Sequence, residues 1–342
     1  MKILLCSHFF HPSIGGIEQV SEILAREFVA AGHEVKVVTQ SLSGESSNES
    51  SAEFSFEIHR RPRFTKLLHL VGWSDVIFHN NLSLQTAWPL LFINRPWVVA
   101  HHYWFERVDG SVGLRDRLKH LVVRGARNIA VSEAIRAELA APAVVIGNPY
   151  RDDLFRRDET AVRDRELVFL GRIIPGKGLE ILFQALALLK KGERFPKLTV
   201  IGGGQDYAEL TKLREDLRLE SQIDFATPGN RTEVAALLNR HKIIVVPSYG
   251  RESFGLVALE GMACGCVPVV SRCGGLPDAA GPCGIVAEPR DPADLAAKLA
   301  MLLDPRTDLE PYLSKASDHL SKHTARQIAM RYLGVIESAV RA

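Results

Sequence analysis

Two glutamates eight positions apart, Glu252 and Glu260, bracket the segment where this chain concentrates its chemistry. Between them run Ser253, Phe254, Gly255, Leu256, Val257, Ala258 and Leu259, after an apolar strand and a Pro/Ser/Gly loop. A helix that begins at Phe254-Gly255 offers unpaired backbone N–H groups to an anion. A carboxylate on either side of such a start can accept two hydrogen bonds from a vicinal diol, which suits a sugar or ribose on either side of a diphosphate. On spacing alone, Glu252 as an electrostatic cap and Glu260 as a solvated helix residue fit as well.

Other residues could serve the same ligand. Arg172 and Lys177 flank the Pro175-Gly176 turn in the loop Gly171–Gly178. Arg would hold a diphosphate as a fork and Lys as a point charge, although two solvated cations fit the local pattern equally. The spacing is not that of a Walker loop. Gly15-Gly16, between the first strand and first helix, would let backbone amides approach an anion, or form a plain tight turn. The pattern lacks G-x-G-x-x-G, and Val38-Thr39-Gln40 supplies no acid, which disfavours a nicotinamide cofactor. The strand Trp97–Ala100 runs into His101 and His102, where a histidine could position a substrate or shuttle a proton; the alternative is a capped core histidine beside a surface one. Adjacent strand residues point to opposite faces, which argues against a metal held by this pair. Cys264, Cys266, Cys273 and Cys283 cluster without paired spacing or an intervening His, so they read as packing residues, and no Asp-x-Asp is present. No metal ligands are expected.

The elements that must position these residues alternate regularly. Strands are expected at 3–5, 35–38, 54–59, 75–79, 97–101, 127–131 and 143–146, and again at 167–170, 198–201, 222–225, 243–246 and 267–270. Ile17, Val20, Leu24 and Phe28 mark one helical face that ends near Gly32, and a second apolar helix covers Leu179–Leu189. The charged, apolar-poor stretch Arg151–Arg165 separates two domains, 1–150 and 151–323. A closing helix within 324–342, with Ile328, Tyr332 and Ile336 on one face, returns to the first. The fold class is α/β: two doubly wound, Rossmann-like domains facing across a cleft, with ligands at the carboxyl ends of the strands.

With 342 residues, 46% apolar and 24% charged, the composition is that of an ordinary globular chain. Five cysteines make no disulfide framework, no apolar run reaches the roughly 18 residues of a membrane span, and Ile3–Cys6 reads as a first strand rather than a signal peptide. A cytoplasmic protein is expected. Residues 58–127 carry eleven Lys/Arg against four acids, although the whole chain is only +2. That excess suits a solvated face, an anionic acceptor or peripheral contact with the inner face of a membrane. Nothing points to nucleic acid.

The run Glu252-Ser-Phe-Gly-Leu-Val-Ala-Leu-Glu260 resembles the E-x7-E signature of retaining, GT-B-fold glycosyltransferases of family 4. Met262-Ala263-Cys264-Gly265, Pro268-Val269-Val270, Gly274-Gly275-Leu276-Pro277, Gly171-Arg172, Lys177-Gly178, Gly15-Gly16 and the His of the fifth strand are similar to that family in the same order. The resemblance implies a hexosyltransferase taking a nucleotide-sugar donor, UDP- or GDP-linked, with no cofactor and no metal. Glu260 would hold the ribose hydroxyls and Glu252 the transferred sugar. Arg172 and Lys177 would hold the diphosphate, helped by Ser253, Phe254, Gly255, Leu256, Gly15 and Gly16, with Gly202 and Thr227 in the loops that select base and sugar. His101 would sit beside the sugar, and the acceptor, a glycan, a lipid-linked saccharide or a small molecule, would lie on the first domain. The family often has Asp where His102 stands, and Gly where Thr227-Pro228 stands. A sugar-nucleotide epimerase of the same architecture, or a nucleotide-sugar sensor, shares these features; the full residue set favours the transferase.

Overall fold

The computed structural model describes residues 1–12, 15–42, 54–104 and 113–342. They divide into two compact units, Met1–Pro149 with His323–Ala342, and Tyr150–Lys322.

The first unit is built on β1 (Lys2–Ser7), β2 (Glu34–Thr39), β3 (Glu57–Arg60), β4 (Val76–Asn80), β5 (Trp97–His101), β6 (Arg127–Ala130) and β7 (Ala143–Val145). They form one seven-stranded sheet in the order β3-β2-β1-β4-β5-β6-β7. The second unit contains β8 (Arg165–Leu170), β9 (Leu198–Ile201), β10 (Ile223–Ala226), β11 (His241–Val246), β12 (Val267–Ser271) and β13 (Ile285–Ala287), in the order β10-β9-β8-β11-β12-β13. All the pairings are parallel. Helices on both faces bury the strands twice over, so the central strands read as unbroken apolar runs such as Ile3-Leu4-Leu5 and Ile243–Val246. Both sheets reverse direction once, between β1 and β4 and between β8 and β11, and that reversal opens a crevice at the strand ends.

The structure departs from the sequence reading in several places. Strand β3 starts at Glu57, because Phe54 and Phe56 pack with Phe10 in an aromatic cluster, ring centroids 5.3–6.3 Å apart. Strand β13 and the helix Pro292–Leu302 were not expected, although Asp291 caps that helix onto the N–H groups of Ala293 and Asp294 and Pro292 opens it. The polar stretch 151–165 opens the second unit, as the expected boundary, and is strapped to it. Arg163 donates to the carbonyls of His241 and Cys264, and the Asp158 N–H to Asn239 Oδ1. Of the charged residues counted in 58–127, Glu106, Arg107 and Asp109 lie outside the described residues. Of the cations between 58 and 127, Arg61 donates to Gln40 O and Arg95 to Gly72 O, while Arg124 and Arg127 are exposed. No helix of the described residues is long and apolar enough to cross a membrane.

The last helix, Ala325–Arg341, belongs to the first unit. Thr324 caps it, and Ile328, Tyr332 and Ile336 are fully buried, each burial being worth about 1.5–3 kcal/mol. The Tyr332 ring meets Phe78 edge-on at 5.6 Å, yet its hydroxyl has no hydrogen-bond partner among the described residues. A buried, unpaired hydroxyl is a cost. Tyr332→Phe is therefore expected to stabilise the protein by about 1 kcal/mol, and Tyr332→Ala to destabilise it by about 3–5 kcal/mol. Denaturant unfolding of both variants checks the pair of signs.

Candidate functional site

The crevice of the second unit begins where β8 and β11 lie side by side, Ile243 opposite Leu167 and Ile244 opposite Val168. Strand β8 feeds the loop Gly171–Gly178, and β11 feeds the loop from Pro247 to Gly255. The N–H groups of Tyr249 and Gly250 both donate to Gly176 O at 2.9 Å. The backbones touch so closely that a Cβ on Gly176 would lie 3.2 Å from Gly250 Cα. From this clasp Lys177 Nζ reaches Glu252 Oε2 at 2.5 Å, and the Ser248 hydroxyl donates to the same oxygen at 3.2 Å. Both side chains are only partly exposed, 25% for Lys177 and 17% for Glu252, so their attraction is less screened than that of a surface pair.

Arg172, in the same loop, is exposed and has no side-chain partner among the described residues. The cation that the fold brings to the carboxylate is Lys177. Gly202, after β9, packs flat on this loop, where a Cβ would fall 1.9 Å from Gly171 O, and the Ile173 N–H donates to Gly203 O. Thr227 is exposed in the loop after β10.

The helix Leu256–Ala263 starts one residue later than the sequence suggests. Gly255 precedes it with φ 99°, in the left-handed region, and a Cβ there would strike Leu276 Cδ2 at 2.4 Å. The N-cap position is Gly255, which makes no side-chain cap bond, and the Glu252 carboxylate is bonded to Lys177 and Ser248. Phe254 is buried beneath it, while Ser253 and Leu256 are half-buried. Glu260, in the second turn, is 1% exposed and paired through Oε1 with Arg231, which excludes the solvated reading. Arg231 is the residue that sequence reasoning missed. It opens the helix Arg231–Asn239, behind an Asn230 cap that accepts the Glu233 N–H, and its guanidinium lies 5.0 Å from the Phe155 ring centroid. The cap was legible; that the next side chain meets residue 260 was not.

The cysteines are packed. Cys266 donates to the carbonyls of Leu238 and His241, Cys273 to that of Gly250, and burial raises the pKa of Cys266 to about 12.

His101, Gly15 and Gly16 belong to the first unit. His101 Nε2 lies 2.9 Å from Asn128 Oδ1. The Asn128 amide N–H₂ is committed to the carbonyls of Val123 and Ala126, so Oδ1 accepts and His101 carries its proton on Nε2. His102 is buried too, not a surface histidine, and bonds Asn80 Oδ1 at 2.7 Å on the other side of the strand. Asn80 continues to Ser21 Oγ, and Ser21 to Ser7 Oγ. Burial lowers the pKa of His101 to about 4 and that of His102 to about 3. Gly15 is extended, and the Glu18 carboxylate stands over it, where a Cβ would meet Oε2 at 2.3 Å.

Residues 151–319 match the family model "Glycosyl transferases group 1", and residues 14–153 match "Glycosyltransferase Family 4". A D-inositol 3-phosphate glycosyltransferase of Catenulispora acidiphila is 37% identical over 298 residues, 75% of this chain and 69% of that protein. Its namesake in Frankia alni is 30% identical over 84% of this chain and 86% of its own length. Among solved structures, Anabaena HepE in complex with UDP superposes with TM-score 0.83 at 18% identity, covering 99% of this chain and all of that one. The fold is therefore GT-B, with two Rossmann-like units, and the chain belongs to the group 1 glycosyltransferases.

The buried histidines make a pH prediction. An unfolded histidine titrates near 6.5, whereas His101 and His102 stay neutral far below that when folded. Their contribution is complete above pH 6.5 and is lost as pH falls toward 4, by up to about 2 kcal/mol per residue at pH 5. The melting temperature should fall across that window, and less steeply in His102→Gln, as differential scanning calorimetry from pH 7.5 to 4.5 would show.

Proposed function

We propose that this enzyme is a retaining hexosyltransferase that takes a nucleotide-diphosphate sugar, UDP- or GDP-linked, and needs no metal. The observation that carries the reading is the Lys177–Glu252 pair on two clasped loops at the strand reversal. A diphosphate bonded directly to a sugar presents concentrated negative charge next to donor hydroxyls. A site that holds an ammonium against a carboxylate supplies the partner for each.

In this reading the diphosphate draws Lys177 and the unengaged Arg172, assisted by the uncapped start of the helix Leu256–Ala263. Glu252 turns to the sugar hydroxyls, and buried Glu260, held by Arg231, takes the ribose diol. Ser253, Phe254, Gly255 and Leu256 line the phosphates, and Gly202 and Thr227 border base and sugar. Gly15, Gly16 and neutral His101 act from the first unit, His101 as a hydrogen-bonding group rather than a charge. The acceptor oxygen bonds the anomeric carbon on the face that the phosphate leaves, and its proton passes to the leaving phosphate oxygen. Each well-placed donor on that growing charge is worth up to about 3 kcal/mol. HepE, crystallised with UDP and with UDP-glucose, supports a uridine donor. The charge of 58–127 supports peripheral attachment to an anionic membrane face through exposed Arg124 and Arg127, within the cytoplasm.

A thermal-shift screen with UDP, GDP, TDP and ADP sugars tests the donor. One nucleotide class should stabilise the protein, by about 2.7 kcal/mol at one hundred times Kd. Glu260→Gln should lose most of that shift. Glu252→Gln should keep the shift with the bare nucleotide and lose the increment from the sugar. Activity should survive EDTA; loss that Mg²⁺ or Mn²⁺ restores would sink the metal-free reading. Flotation with phosphatidylserine vesicles should disappear in Arg124→Glu/Arg127→Glu, and equal flotation of the variant would remove the membrane assignment.

A further inference from the structure

At the starts of β5 and β6, where Val98 pairs in register with Arg127, the first unit has an open cleft of about 480 Å³. Open α/β sheets bind their substrates beyond the opposite, carboxyl ends of the strands, so this cleft stands apart from the crevice. Three arginines line it: Arg95 just before β5, Arg127 opening β6, and Arg124 in the turn Val123–Gly125 that precedes it. Ala339 and Ala342 reach it from the end of the chain. No acidic side chain is part of the lining, and no ion pair joins these arginines to a carboxylate among the described residues.

The backbone around the three cations is fixed. Arg95 donates through Nη2 to Gly72 O at 2.8 Å and through Nε to Val71 O at 3.4 Å, both near the end of the helix Phe64–Trp73. With Nη1 on Asn94 O at 3.4 Å, the other two of its five N–H groups are left for a ligand. Arg124 and Arg127 bracket a turn pinned by Asn128, whose amide donates to Val123 O and Ala126 O. Both side chains are exposed and have no hydrogen-bond or ion-pair partner among the described residues. Three like charges share one cleft with nothing to offset them. They repel one another in the free protein, and an anion relieves that repulsion.

We propose that this cleft is a second anion site, which takes a phosphate monoester carried by a small metabolite or by a lipid headgroup. A guanidinium meets phosphate oxygens as a fork, which a lysine cannot do. A monoester offers three oxygens and a charge of about −1.5 to −2 near pH 7, whereas a diester offers two free oxygens and a single charge. The site rests on no step of sugar transfer. Where a lipid carries the phosphate, it deepens the membrane attachment through Arg124 and Arg127 by giving that attachment a pocket and a headgroup.

Gly125 supplies the test, because a Cβ there would meet nothing within 4 Å. Gly125→Asp therefore sets a carboxylate between the two unpaired arginines without crowding the turn. Binding is followed by ³¹P NMR of methyl phosphate, with dimethyl phosphate as the diester control and saturating UDP to occupy the diphosphate loops. Methyl phosphate should bind saturably, and dimethyl phosphate more weakly by about tenfold or more. Gly125→Asp and Arg127→Gln should each weaken methyl phosphate by about tenfold or more, with the unliganded melting temperature and the UDP shift as in wild type. Tighter flotation with phosphatidic acid than with phosphatidylserine vesicles of equal surface charge, competed by methyl phosphate, would identify the lipid as the source. Methyl phosphate binding without that preference would identify a free metabolite. No saturable binding, equal binding of the diester, or binding that neither substitution weakens would overturn the site. Phosphatidylserine flotation that persists without methyl phosphate binding would leave the membrane attachment standing and sink the pocket. Should UDP itself not bind, the donor reading fails separately, and the two substitutions still locate methyl phosphate.

Discussion

The carbonyl of Gly176 receives two backbone N–H groups, from Tyr249 and Gly250, and the arrangement of the second unit's chemistry depends on that clasp. Without it, the loops after β8 and β11 would be two independent surface excursions. With it, Lys177 and Glu252, 75 residues apart in the chain, share one hydrogen bond. The clasp tolerates little: neither Gly176 nor Gly250 has room for a side chain without displacing the other. Strand order supplies the rest of the constraint, since β8 and β11 are neighbours only because the sheet reverses there.

The two carboxylates of the Glu252–Glu260 segment end in different environments. Glu252 keeps a half-open position with the ammonium of Lys177 as its partner. Glu260 is buried and tied to a guanidinium that itself rests near an aromatic ring. Leaving a buried charge without a partner is costly, and Arg231 supplies one to Glu260. In the first unit the corresponding crevice is lined by amides, a hydroxyl and aromatic rings together with His8 and the Asp116–Lys119 pair.

Much of the fold was legible because apolar periodicity reports double-sided burial directly. The positions of β1, β2, β9 and β12, the start of the first helix and the Tyr332 face of the last all follow from it. What failed did so for local reasons: aromatic packing took Phe54 and Phe56 out of β3, and short β13 carries too few residues to show a period. The alternative of a capped core histidine beside a surface one does not hold, because His101 and His102 are both buried, and a strand end gives no sign that Asn80 stands opposite His102.

The residue types of the candidate site, their order and the loops that carry them were determined by the sequence alone. Glu252 and Glu260 flank a helix start because a Gly at position 255 permits φ 99° there. Which side chains meet was decided only by tertiary structure. Lys177 finds Glu252, and Arg231 finds Glu260, across separations of 75 and 29 residues. Arg172, equally basic and five positions from Lys177, finds no such partner among the described residues. Spacing along a chain describes neighbours on one helix or strand; the contacts of a crevice depend on which strands lie side by side, and that is a property of the whole sheet.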